Sequence, residues 1–151
     1  MTATVVNVAA HLPEMAKRQP HRPAVIATCG RDRAGRAAYT HYTFAQLDQD
    51  CDRVAHGLEA AGIRRGTRTA LLVTPSLDFF ALVFALFKIG APLVLIDPGI
   101  GPKNLGRCLA EAEPEAFVGV PKAHAARVLL GWARRTVRIR VTVGRRWFWG
   151  G

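Results

Sequence analysis

The sequence predicts an α/β fold, a doubly wound, mainly parallel sheet with helices on both faces, and three observations carry that expectation. Residues 70–73 (ALLV) and 93–96 (LVLI) are short, continuous apolar runs without polar alternation, the pattern of strands covered on both faces. A helix signal lies between them, and a strand–helix–strand unit joins parallel strands by a right-handed crossover. A third apolar run, residues 116–120 (AFVGV), is again flanked by helix signals.

In chain order, Asn7 is placed to cap a first helix ending near Lys17 or Arg18, with Val8, Leu12 and Met15 on its inner face. Pro13 either kinks that helix or sits in the first turn of one that starts later, and Pro20 and Pro23 end it. Residues 24–27 read as a strand, residues 29–38 (CGRDRAGRAA) as a basic loop, and residues 39–43 as a short alternating strand. Thr43 and Gln46 form a T-x-x-Q capping box. Phe44, Leu47, Cys51, Val54, Leu58 and Ala61 then recur at helical spacing along one face, and Gly62 closes the helix.

Ser76 caps the next helix, and Asp78 sits in its first turn, where the helix dipole favours a carboxylate. The stretch 79–87 is apolar on every face and reads as buried all round. Lys88 and Gly90 mark its end, and Pro92 forces an extended exit. Residues 99–101 make a turn, and Pro102 opens a helix with Leu105, Cys108, Leu109 and Ala112 along one side, stopped by Pro114. Pro121 opens another, with Val128, Leu129 and Trp132 as its expected core positions. Val137, Ile139, Val141 and Val143 alternate with Arg138, Arg140 and Thr142, which suits a half-buried strand at a sheet edge.

At 151 residues, half of them hydrophobic, the chain is long enough to bury a core as about one domain and is too apolar for disorder. Cys29, Cys51 and Cys108 are odd in number and form no C-x-x-C pair, which argues against structural zinc and a disulfide framework and for a reducing compartment. Cys51 and Cys108 fall on apolar helix faces, where a free thiol behaves as a small hydrophobe. No basic stretch followed by an apolar core opens the sequence, and the run 79–87 is shorter than the ~20 residues a bilayer span needs. A cytoplasmic protein without a transmembrane segment is expected.

Residues 101–108 (GPKNLGRC) nearly spell a phosphate-binding P-loop, but Arg107 replaces its lysine, Cys108 its hydroxyl, and Pro102 lacks an N–H. An ordinary helix start after a glycine turn is the preferred reading. Gly99-x-Gly101 hints at a dinucleotide fingerprint whose third glycine is misplaced at Gly106. His11, His21, His41, His56 and His124 show no metal-ligand spacing and no nucleophile partner. The net charge of +10 raises a nucleic-acid or anionic-membrane partner. Its arginines cluster at 31–36 and 134–146, the second beside Trp147 and Trp149, which admits an RNA-binding reading. An edge strand with charges facing water is preferred to it, and no nucleic acid is expected as partner. No catalytic, cofactor-binding or metal-ligating residue is assigned.

Several segments, in order, are similar to a known family: residues 20–26 (PHRPAVI), 42–47 (YTFAQL), 55–58 (AHGL) with 62–66 (GIRRG), and 82–98, which looks like its "A-x-L-K-x-G-A…P-x-x-P" segment. From about Asn7 to His124 the chain resembles the N-terminal part of the adenylate-forming superfamily of acyl-CoA synthetases, luciferases and peptide-synthetase adenylation domains. Thr67 stands where that family usually has aspartate, and Pro13 interrupts the first helix. Residues 94–100, 115–121 and 144–151 look most like the β-lactone synthetases of bacterial olefin biosynthesis. The resemblance implies ATP and Mg²⁺ as cofactors and a carboxylic acid, a long-chain 2-alkyl-3-hydroxy acid, as substrate. It also implies that the 3-hydroxyl attacks the acyl-adenylate to close a β-lactone.

A fatty acyl-CoA ligase fragment, where coenzyme A thiol attacks instead, is the alternative within the superfamily. A non-catalytic binding module is the alternative outside it. The family's Ser/Thr-Gly-rich phosphate loop, its adenine motif, its ribose-binding aspartate and its C-terminal lysine have no counterparts here. Residues 1–151 are therefore expected to be an N-terminal fragment without the phosphate loop or the C-terminal lid domain. Such a fragment should be inactive alone, hold no nucleotide tightly and need the remainder of the enzyme as partner.

Overall fold

A computed structural model describes residues 7–145 of the chain. The polypeptide forms two compact units, Met1–His56 with Pro75–Lys88, and Gly57–Thr74 with Ile89–Gly151.

In the first unit, Asn7 Oδ1 accepts from the N–H of Ala9, and a short 3₁₀ turn, Val8–Ala10, leads into helix α1, His11–Arg18. Pro13 thus lies in the first turn of α1, where its missing N–H costs no helical bond. Leu12 is buried as expected, but Val8 is exposed and Ala9 takes the inner position, because the tighter 3₁₀ winding shifts the phase. Strand β1, Pro23–Arg31, pairs antiparallel with β2, Ala37–Thr43. The expected basic loop shrinks to the hairpin's turn.

There, Asp32 Oδ1 accepts from the N–H groups of Ala34 and Arg36 at 2.8 and 2.9 Å. The Arg36 N–H first, joined by the Arg36 side chain and the Ala34 N–H, holds the Asp32 carboxyl below its usual range against opposing desolvation.

Helix α2, Phe44–Ala60, starts on the expected capping box: Thr43 N–H donates to Gln46 Oε1 at 2.9 Å and Gln46 N–H to Thr43 Oγ1 at 3.3 Å. Helix α3, Leu77–Ile89, starts where Phe79 N–H donates to Ser76 Oγ. Its burial is less complete than expected: Ala81, Leu82, Ala85 and Leu86 are buried, and the remaining apolar side chains are half-buried. The unit's core gathers Leu12, Leu47, Cys51 and Ala81, with Tyr42, Phe44, Phe80 and Phe84 against it.

The second unit holds a four-stranded, wholly parallel sheet in the order β4-β3-β5-β6. The strands are β3 (Thr69–Leu72), β4 (Leu93–Leu95), β5 (Ala116–Gly119) and β6 (Ile139–Thr142). The expected parallel sheet with helices is thus present, the β1–β2 hairpin being a separate sheet. The β3 and β5 interiors are buried as read, but β4 is an outer strand of this sheet and Leu95 is 55% exposed.

Helices α4, Pro102–Ala112, and α5, Pro121–Leu130, each begin on proline. Leu105 and Leu109 of α4 pack with Ala70, Phe117 and Trp132. On α5 the expectation fails: Val128 and Leu129 are exposed, while His124 and Arg127 are buried. Gly131 ends α5 in the left-handed region at φ 68°, so Trp132, which is buried, does not continue the helical phase of Val128. The expected aromatic segment at Trp147, Phe148 and Trp149 lies outside the described residues.

Candidate functional site

In a doubly wound sheet, ligands sit beyond the carboxyl ends of the strands where the strand order reverses. Here the chain goes from β3 to β4 on one side and to β5 on the other, so the reversal falls between β3 and β5. The two are drawn tightly together at that end. Val120 N–H donates to Leu72 O at 3.1 Å. A Cβ at Gly119 would lie 2.9 Å from Phe117 Cε1, 3.2 Å from Ala123 Cβ and 3.3 Å from Leu72 O, so glycine permits the closure. Past β3, the second unit offers the exposed Thr74 hydroxyl. That one group makes neither an acid–base pair nor an activated nucleophile. In the first unit, Ser76 Oγ is already engaged as the cap of α3.

The glycine turn does not fit phosphate. Gly101, at φ 84°, is the N-cap of α4, Leu105 N–H donates back to Gly101 O at 3.0 Å, and residues 102–108 are helical. Gly106 serves packing: the Trp132 indole lies so close that a Cβ there would sit 2.8 Å from both Cδ1 and Nε1. Pro102, Lys103, Gly106, Ala110, Leu130, Gly131, Trp132 and Ala133 line a shallow groove of about 470 Å³. Among the described residues, no group of three or more His, Cys, Asp or Glu side chains could hold a metal ion. The glycine turn before α4 thus offers no cradle for a nucleotide phosphate.

Of the five histidines, His11, His21, His41 and His56 are exposed. His124 is different. It is fully buried, its ring meets Phe117 edge-on with centroids 5.1 Å apart, and its Nε2 lies 3.0 Å from Val141 O. A carbonyl only accepts, so the proton is on Nε2 and Nδ1 carries a lone pair. Nδ1 has no hydrogen-bond partner among the described residues. Burial first, then Arg127 and Arg140, hold the imidazole below its ordinary pKa, against the bond to Val141.

Arg127, 8% exposed, places its guanidinium 5.8 Å from the Phe117 centroid, and its Nε is likewise unpartnered. Sequence reasoning missed Arg127 and left His124 as one histidine among five. Counting from Pro121 as the first helical residue puts residues 120, 123, 124 and 127 on one face, a signal that apolarity alone outweighed.

The remaining candidates have local roles. In the 31–36 cluster, Arg31 Nη1 donates to Gly35 O at 2.6 Å and Arg36 Nε to Asp32 Oδ2 at 2.9 Å, both closing the hairpin. Arg138 and Arg140 are exposed at the outer strand β6, in keeping with the edge reading. In the first unit, Lys88 Nζ donates to Asp48 Oδ1 and Asp52 Oδ1, each at 2.6 Å. Burial opposes the Lys88 charge, but the two aspartates outweigh it and raise the ammonium's pKa. Cys29 is exposed, Cys108 is half-buried, and burial pushes the Cys51 thiol up to about 12.

Comparison with known proteins places the chain beside one family. Residues 12–147 match the family described as AMP-binding enzyme. The chain is 51% identical over 148 residues to an olefin β-lactone synthetase of Stenotrophomonas maltophilia, covering 96% of this chain and 26% of that protein. It is 48% identical over 149 residues to an olefin β-lactone synthetase of Xanthomonas campestris pv. campestris, covering 98% and 27%. The chain thus spans about a quarter of the length of these relatives. Among solved structures, the inhibitor-bound N-terminal domain of FACL13 from Mycobacterium tuberculosis superposes with a TM-score of 0.75 at 21% identity. That match covers 92% of this chain and 34% of the other, and it is a likeness of fold.

Proposed function

Because the chain belongs to the AMP-binding enzyme family, we propose that it is the N-terminal segment of an ATP-dependent adenylate-forming ligase acting toward a β-lactone. The substrate in this reading is a long-chain 2-alkyl-3-hydroxy acid. Its carboxylate attacks the α-phosphorus of ATP and expels pyrophosphate. The 3-hydroxyl then attacks the acyl-adenylate carbonyl, closing the four-membered ring and expelling AMP. The single observation that carries this reading is identity near one half, across almost the whole chain, to two olefin β-lactone synthetases.

The segment's contribution is scaffold and part of a substrate-side wall. In support, past β3 and β4 stand an exposed Thr74 hydroxyl and an Asp97 carboxylate already accepting from the Gly99 N–H, and the glycine turn before α4 is a packed helix start. ATP, Mg²⁺ and the reacting side chains then belong with the remainder of the ligase, and the setting is cytoplasmic.

A chimera tests the function. Residues 7–145 replace the matching segment of the S. maltophilia relative, and β-lactone formation from a 2-alkyl-3-hydroxy acid is assayed beside the parent. Retained lactone formation is expected. A folded chimera that forms acyl-AMP but no lactone, beside an active parent, would sink the β-lactone assignment. The 151-residue chain by itself is expected to show no ATP–pyrophosphate exchange. Exchange above background with any hydroxy acid would overturn the scaffold role.

A further inference from the structure

One row of residues crosses the second unit's sheet in register: Val94, Ala70, Phe117 and Arg140. Three of the four are apolar, and the row ends on a guanidinium at the outer strand. Directly cross-strand residues share a sheet face, so Arg140 stands on the face where Arg127 meets the Phe117 ring and His124 packs edge-on. Arg127 and a half-satisfied histidine therefore meet one aromatic ring, and Arg140 shares that ring's sheet face.

Neither Arg127 nor Arg140 has an acidic partner or a side-chain hydrogen bond among the described residues. Buried charges are otherwise paired, because an uncompensated guanidinium in a low-dielectric site is costly. An oxoanion between the two arginines would remove that cost, and the planar guanidinium fork matches carboxylate and phosphate alike.

From this geometry we infer that Arg127 and Arg140 form a seat for an oxoanion, with His124 at its inner wall. The exposed Arg140 end is the entry, and the buried Arg127 end is the anchor. The inference stands on these side chains and does not depend on the ligase reading.

The test titrates the 151-residue chain with sodium acetate and, separately, sodium phosphate, at ionic strength held constant with sodium chloride. His124 imidazole NMR resonances and the thermal midpoint are followed. A saturable His124 shift and a raised midpoint are expected with at least one oxoanion. Saturation by acetate alone supports a seat for carboxylate, by phosphate alone a seat for a phosphoryl group, and by both a general oxoanion seat.

Arg140→Gln, a change at an exposed position, should bind about tenfold more weakly while remaining folded. Arg127→Gln should abolish saturation. Resonances that respond to both oxoanions no differently from chloride, or an Arg140→Gln chain that titrates like the parent, would overturn the seat.

Discussion

Gly106 shows how a single hydrogen atom can matter more than helix propensity. In the interior of α4, alanine is the better residue by about 1 kcal/mol. Yet a Cβ at this position would stand 2.8 Å from the Trp132 indole, closer than packed atoms come. The indole cannot yield cheaply, because it is 9% exposed and packed with Leu105, Leu109 and Phe117. Overpacking of this kind costs about 1–3 kcal/mol. Gly106→Ala is therefore expected to lower the urea unfolding midpoint in spite of its propensity, and a raised midpoint would show that the ring moves aside. In the sequence, Gly106 reads as the misplaced third glycine of a nucleotide motif. Its packing role needs Trp132, which lies 26 positions away (132 − 106) and is brought near only by the fold.

The contact of His124 Nε2 with Val141 O fastens helix α5 to strand β6 in an apolar setting. The buried imidazole is held below its ordinary pKa, by burial first and by Arg127 and Arg140 next. The unfolded chain therefore takes up the proton more readily than the folded one. The contribution of His124 is whole above its unfolded value of about 6.5 and is lost as pH falls from there through the lower folded value. In chloride buffer, the thermal midpoint should fall more steeply between about pH 7 and pH 5 for the parent than for His124→Gln, whose amide can donate to Val141 without titrating. Equal slopes would count against this fastening.

The start of α2 was fully legible, since Thr43 and Gln46 form a local motif that needs no tertiary information. The inward face of α5 was not, because the left-handed Gly131 separates Trp132 from the helical count of Val128 and Leu129.

Across the molecule, apolar side chains remain exposed on both units: Val8, Ile26 and Tyr39 in the first, and Leu95, Ile100, Val128, Leu129 and Leu130 in the second. Three of these are consecutive on α5, and Leu129 is 78% exposed. Clustered surface of this kind favours association. The isolated chain is expected to elute early in size-exclusion chromatography. Leu129→Lys should elute later, with its unfolding midpoint changed by no more than ~0.5 kcal/mol equivalent. Elution of the parent as a monomer would contradict this.

The parallel pairing of β3, β4 and β5 could be read from three apolar runs and their intervening helices. The outer position of β4 could not, because an apolar run does not reveal which neighbours it has. The hairpin was hidden for the opposite reason: glycines and arginines at 29–38 resemble a long loop, although Asp32 closes a tight turn within it. The chain also passes between its two units three times, after His56, Thr74 and Lys88. No single scission of the gene can therefore deliver either unit intact. Dissecting their separate stabilities calls for residue-resolved exchange on the whole polypeptide, or for rewired connectivity, rather than for truncation.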